Sequence, residues 1–236
     1  MLKSKSKPEW QAKTIVITGG SRGIGFAAAR AFLEGGGRVA ICARDCARLE
    51  SAERELGMTG PVLSSAVDVR DPTQVTAFIE RVENAMGPID VLVNNAGVLY
   101  AGPFAQEPYE SIGDVIDVNL KGMMYMTRAV LPPMIARGNG VIINVSSGAG
   151  LSGFADIVSY CASKFGVVGF TESLDQEMGP LGVRVYGLCP GRVATDMQVQ
   201  YSGERVGLAP ERVAERIVEL ANPESRVRTG TCVTIR

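Results

Sequence analysis

Thr14-Ile15-Val16-Ile17-Thr18, followed by Gly19-Gly20-Ser21-Arg22-Gly23-Ile24-Gly25 and then Phe26-Ala27-Ala28-Ala29, decides the architecture of this chain. Five β-branched residues in succession read as a strand covered on both faces. The glycines permit a tight turn and a close backbone approach to a diphosphate. The small-residue helix that follows adds free N–H groups and a positive dipole end. Glycine also serves any tight strand-to-helix turn, so the motif gains its weight from lying between a first strand and a helix.

Outward from this unit the pattern repeats. Further β-branched or apolar runs at Arg38–Ala43, Val62–Val67, Ile89–Val93, Val141–Val145, Val183–Leu188 and Thr231–Ile235 bring the predicted strands to about seven. Long intervals between them leave room for helical crossovers. Asp71-Pro72 is a helix start, with an N-cap followed by proline at the first helical position. Val75, Phe78, Ile79, Val82 and Met86 then form one apolar stripe, and Gly87-Pro88 stops the helix. Two other long segments, 109–137 and 157–178, carry many small or apolar residues. Right-handed crossovers turn such a β-α series into an α/β doubly wound parallel sheet of Rossmann type, with helices on both faces. No repeat or linker divides it. The expected organisation is a flexible tail over 1–10 and one domain over 11–236.

Composition excludes several chemistries. The chain has 236 residues and a net charge of −1, which gives no global field to recruit nucleic acid or an anionic membrane. It has no histidine, so imidazole-based catalysis and histidine-ligated metals are ruled out, and no metal is expected. Five cysteines without a C-x-x-C pair read as reduced thiols of a cytoplasmic protein; Cys161 and Cys189 read as buried structural thiols. No apolar run reaches the roughly 18 residues of a membrane span.

In a doubly wound sheet the ligand lies beyond the carboxyl ends of the strands, at the topological switch point. The second strand ends Cys42-Ala43-Arg44-Asp45. An acid at that tip would take a ribose 2′-hydroxyl, whereas arginine pairs with a 2′-phosphate. Arg44, with Arg22 in the glycine loop, favours NADP(H); Asp45 is the competing signal that keeps NAD(H) in play. Farther on, Tyr160 follows Ser147 by thirteen residues and Lys164 follows Tyr160 by four. Residues i and i+4 share a helical face, so the ammonium is expected to stand near the phenol and lower its pKa, supplying the proton transfer that histidine cannot.

These motifs together resemble the short-chain dehydrogenase/reductase family over Thr14 to about Ile235. The resemblance rests on the glycine loop Thr18–Gly25, Asp68-Val69, Asn94-Asn95-Ala96-Gly97, Asn119 within Val118–Gly122, Ser147, Tyr160-Cys161-Ala162-Ser163-Lys164 and Pro190–Thr195. It implies an NAD(P)-dependent oxidoreductase, with an NADPH-dependent carbonyl reductase or alcohol dehydrogenase favoured over an NAD(H) enzyme. Tyr160 would be the proton donor or base and Ser147 would hold the substrate oxygen. Lys164 would bind the nicotinamide ribose, and Asn119 would hold a relaying water. Cofactor contacts would come from Gly19, Ser21, Arg22, Gly23, Ile24, Gly25, Arg44, Asp68, Val69, Asn95, Ala96, Gly97, Tyr160, Lys164, Pro190, Gly191, Val193 and Thr195. Asp68 would accept from the adenine amine, and Thr195 would meet the carboxamide.

The complete Asn119, Ser147, Tyr160 and Lys164 set argues against a non-catalytic dinucleotide sensor, which needs no acid–base pair. Val98, Leu99, Phe154, Ile157 and Tyr201 are candidate wall residues without a charged anchor. They point to a neutral, moderately hydrophobic small-molecule carbonyl or alcohol. Only about fifteen residues separate Thr195 from the last helix near Pro210, a short lid and an open site. The resemblance also implies an interface packed from the two long helical segments, 109–137 and 157–178, and hence a homodimer or homotetramer.

Overall fold

Every pairing in the sheet is parallel, so each strand must return through a crossover before the next can dock. A computed structural model describes residues 10–235. Its strands are β1 (Thr14–Thr18), β2 (Arg38–Ala43), β3 (Val62–Ala66), β4 (Ile89–Asn94), β5 (Gly140–Val145), β6 (Val183–Pro190) and β7 (Cys232–Ile235). They lie in the order β3-β2-β1-β4-β5-β6-β7. The chain runs outward from β1 through β3, then crosses back to β4 on the other side of β1. That reversal opens a cleft beyond the ends of β1 and β4.

Successive side chains of a strand point to opposite faces, so the central strands feed two cores. On one face Ile15, Ile17, Ile41 and Val93 meet α1 (Gly23–Glu34), α2 (Cys46–Gly57) and α8 (Pro210–Ala221). On the other, Val16, Ala40, Leu92 and Ile142 meet α3 (Pro72–Met86), α5 (Met123–Arg137) and α6 (Val158–Met178). The full α3 stripe is buried, and the Asp71 carboxylate caps the helix by accepting from the Thr73 and Gln74 N–H groups.

Strand boundaries agree with the sequence pattern within two residues, but burial does not agree everywhere. β3 is only half-buried because it is a sheet edge. Its Ser64 donates N–H and hydroxyl to Glu53 of α2 at 3.2 and 2.8 Å, which covers part of that edge. The segment expected as one long helix from Tyr109 is also interrupted. α4 (Tyr109–Ile116) passes through a π-helical stretch, Asp117–Gly122, before α5 begins. A short helix, α7 (Asp196–Ser202), occupies the lid segment. No helix among the described residues is long and apolar enough to cross a membrane.

Of the tail expected over 1–10, residues 1–9 lie outside the described residues. Trp10 belongs to the core instead: it is 3% exposed, and its ring stands edge-on to Phe32 with centroids 4.9 Å apart. An indole in that position couples the start of the domain to α1. Trp10→Ala should therefore cost about 3–5 kcal/mol in a denaturant titration. An unchanged midpoint would return Trp10 to the tail.

Candidate active site

The cleft begins where two backbones nearly touch. Thr18 Oγ1 accepts the N–H groups of Asn95 and Ala96, both at 2.9 Å. The Asn95 amide donates back to the carbonyls of Thr18 and Gly19 at 3.0 and 3.1 Å. A Cβ on Gly25 would stand 2.5 Å from Asn95 Nδ2 and run into the Gly19 carbonyl, so only glycine fits. Gly19 and Gly23 take positive φ values of 66° and 57°, which glycine adopts without strain. No side chain caps the N-terminus of α1 at Arg22, so its first N–H groups remain available to an anion. This cradle fits a dinucleotide diphosphate. Asn95 contributes by bracing the loop, because its amide is taken up there.

The cleft has a volume of about 920 Å³. Of the residues singled out from sequence, Gly19, Ser21, Arg22, Gly23, Ile24, Arg44, Val69, Asn95, Ala96, Gly97, Tyr160, Lys164 and Thr195 line it. At its β2 end the Asp45 carboxylate caps α2, accepting the Arg48 N–H at 3.1 Å and pairing with Arg48 Nε at 3.2 Å. The acid that signalled NAD is thus engaged in helix capping. Arg44 is exposed beside it on the cleft wall, and Arg48, which the sequence reading did not single out, is there too. The Asp-x-x-Arg spacing at the start of α2 was its signal.

Several expected residues are placed elsewhere. Val67 and Val69 line the cleft, while the Asp68 carboxylate is forked by Arg70 through Nε and Nη2 at 2.9 and 2.6 Å. That guanidinium holds the Asp68 carboxyl below its ordinary range. The Gly191 N–H bonds to the Ile235 carbonyl at 2.9 Å, tying the β6 exit to β7. Val193 is buried in the core and bridges Leu208. Neither these two nor Pro190 lines the cleft; Thr195, two residues on, does, and its hydroxyl caps α7.

Tyr160 and Lys164 share the buried face of α6. Lys164 Nζ donates to the Val145 carbonyl at 2.9 Å and stands 5.6 Å from the centre of the Tyr160 ring. Here the structure corrects an expectation. Burial pushes the phenol up to about 12, only partly opposed by the Ser147 hydroxyl, so in the ligand-free protein desolvation and not the ammonium sets the direction. The ammonium meanwhile sits against the ring face and on the Val145 carbonyl. Burial in turn pushes Lys164 down to about 8.

Ser147, two residues beyond β5, is in extended conformation and accepts the Ala149 N–H at 3.1 Å. Asn119 stands in the π stretch, where its amide clamps Val98 in both directions at 2.8 and 2.9 Å and donates to Ser163 at 3.0 Å. Ser163 in turn donates to the Tyr160 carbonyl at 2.7 Å. Ser146 Oγ donates to the Lys164 carbonyl at 2.9 Å. Ser146 and Ser163 are positioning groups whose signal was only adjacency to the catalytic candidates. Val98, Leu99, Ile157 and Tyr201 gather with Met197 around Tyr160, whereas Phe154 remains exposed. Gln200 Nε2 ties α7 to the Leu99 carbonyl at 2.9 Å, so the short lid closes part of the substrate side.

Comparison with known proteins agrees with this geometry. Residues 13–205 match the family model described as short chain dehydrogenase. A 3-oxoacyl-(acyl-carrier-protein) reductase of Chlamydia muridarum is 35% identical, with 94% of this chain and 95% of that protein covered. A putative ketoacyl reductase of the granaticin polyketide synthase of Streptomyces violaceoruber is 37% identical, over 97% and 85%. Among solved structures, levodione reductase superposes with a TM-score of 0.90 at 26% identity, over 96% of each chain. A variant actinorhodin polyketide ketoreductase with NADPH gives 0.89 at 32% identity, over 94% and 95%.

The buried lysine has a stability signature. Its folded pKa lies below the unfolded value, so folding carries the full desolvation cost below pH 8, and the cost disappears as pH rises toward 10.5. Lys164→Met should stabilise the ligand-free protein by up to roughly 3 kcal/mol at pH 7. That advantage should shrink progressively between pH 8 and 10.5. A pH-independent difference in denaturant titrations would contradict the placement of the charge.

Proposed function

The chain belongs to the short chain dehydrogenase family and is an oxidoreductase acting between C=O and CH–OH groups; on that premise we propose that it is an NADPH-dependent reductase of neutral, apolar ketones or aldehydes. The β2 tip carries this reading. Arg22, Arg44 and Arg48 surround it, and its nearest acid, Asp45, is committed to capping α2. Guanidinium groups there suit a 2′-phosphate, whereas Asp45, the acid a ribose 2′-hydroxyl would need at this tip, is engaged by α2.

The nicotinamide, when bound, supplies the hydride. The chain's residues supply position and the proton. Ser147 hydrogen-bonds the substrate oxygen, and Tyr160, kept protonated by burial, donates its proton to that oxygen as the carbon takes the hydride. The phenolate so formed is stabilised by Lys164, and the Asn119 clamp holds the Val98 side of the site in register. The apolar wall of Val98, Leu99, Ile157, Met197 and Tyr201 receives the substrate's flanking groups. The similarity to two ketoacyl reductases favours a second reading, in which the carbonyl is the 3-oxo group of an acyl chain.

NADPH oxidation against ketones, aldehydes and a 3-oxoacyl thioester tests both readings. Tyr160→Phe should lower kcat at least about 100-fold. Arg44→Asp should weaken NADPH binding roughly tenfold while leaving NADH binding nearly unchanged. Equal losses for the two cofactors would favour an NAD(H) enzyme.

We propose further that two copies pair through α4, α5 and α6. Tyr109 on α4 is 88% exposed and Phe165 on α6 is 47% exposed, an apolar exposure that a second copy would cover. Phe165→Glu should shift the mass measured by light scattering toward the monomer. An unchanged mass would move the interface elsewhere.

A further inference from the structure

One carboxylate gathers three arginines across the cleft. Asp196 is the first residue of α7. Arg22 Nη1 of the glycine loop donates to its Oδ2 at 2.5 Å, and Arg205, beyond the end of α7, donates to its Oδ1. Arg48 Nη1 of α2 stands 3.7 Å from Oδ2. All four side chains line the cleft. The two walls also come close at Gly23, where a Cβ would stand 3.3 Å from the Thr195 side-chain Cγ2. Asp196 therefore reaches from the lid to the glycine loop, beside the β2 tip.

We propose that Asp196 is an internal stand-in for the cofactor's 2′-phosphate: it holds Arg22 and Arg48 in the ligand-free protein, yields them when the phosphate arrives, and so sets the discrimination between NADPH and NADH. The inference rests on the reading that these arginines face the 2′-phosphate. Three observations support the exchange. Each pair is about half exposed, so its net strength is small and a dianion outcompetes a carboxylate for the same guanidinium. Arg205 is anchored on the lid by a second bond, to the Ala194 carbonyl at 3.3 Å, so Asp196 keeps a partner after the exchange. Arg48 is likewise retained by Asp45 and need only turn its free end. The wild-type protein thus gives up part of its NADPH affinity, because its arginines already have an anion.

Direct titration of NADPH and NADH into wild type, Asp196→Asn, Arg22→Gln and the double variant tests this. Asp196→Asn should tighten NADPH binding about five- to tenfold and change NADH less than about twofold. Arg22→Gln should weaken NADPH binding more in the Asp196→Asn background than in wild type, by a similar factor. Equal effects on the two cofactors, weaker NADPH binding in Asp196→Asn, or an additive cycle would overturn the inference and leave Asp196 a lid-folding residue. A wild type that binds NADH as well as NADPH would overturn the cofactor reading, and the inference with it.

Discussion

The structure depends on the contact between the end of β1 and the end of β4. Two chain segments leave a parallel sheet side by side at the point where strand order reverses, and each presents backbone groups that no strand partner takes. Thr18 and Asn95 satisfy those groups reciprocally, and the glycines let the two backbones come within reach. Everything functional is referenced to that junction. It aims the start of α1 into the cleft and places Ala96 and Gly97 on the wall. It also carries the chain to Val98, where Asn119 clamps it. A larger residue at Gly25 would displace the cradle and the substrate wall together.

The same dry environment acts in opposite directions on the two ionisable groups of the site. Desolvation penalises whichever form is charged, so it raises the phenol of Tyr160 and lowers the ammonium of Lys164. For a reduction this is a coherent pair. The acid keeps its proton until a carbonyl oxygen begins to need it, and the nearby cation gains a partner only when the phenolate forms. The cost is held in the ligand-free fold by hydrogen bonds from Ser146, Ser163 and Lys164 itself.

Most of the fold was legible because its signals are local. The β-branched run at Thr14–Thr18, the Asp71-Pro72 start and the α3 stripe each specify their element within a few residues, and the structure places them accordingly. Tyr160 and Lys164 were marked by spacing and Asn119 by resemblance, and the structure places them near one another, Asn119 through Ser163. What was not legible depends on partners distant in sequence. Trp10 looked like tail because Phe32, which buries it, lies 22 residues on. Asp68 was marked as a cofactor contact by resemblance, and nothing in the sequence announces that Arg70 folds back on it. The break between α4 and α5 was invisible because a π stretch has no distinctive composition.

Charge near the β2 tip follows the same rule, and it bears on ligand choice. Arg22, Arg44, Arg48 and Arg205 line the cleft with the carboxylates of Asp45 and Asp196, in a chain whose net charge is −1. Of the four, Arg44 makes no salt bridge among the described residues, while each of the others shares a carboxylate. Asp45 and Asp196, the acids these arginines pair with, are each monovalent and already shared. A dianionic group meeting Arg22, Arg44 and Arg48 would engage guanidinium donors more strongly than a ribose hydroxyl does. Asp45, the competing sequence signal, is engaged by α2. Its distance from the tip suits a ribose contact, but the helix behind it takes the carboxylate first.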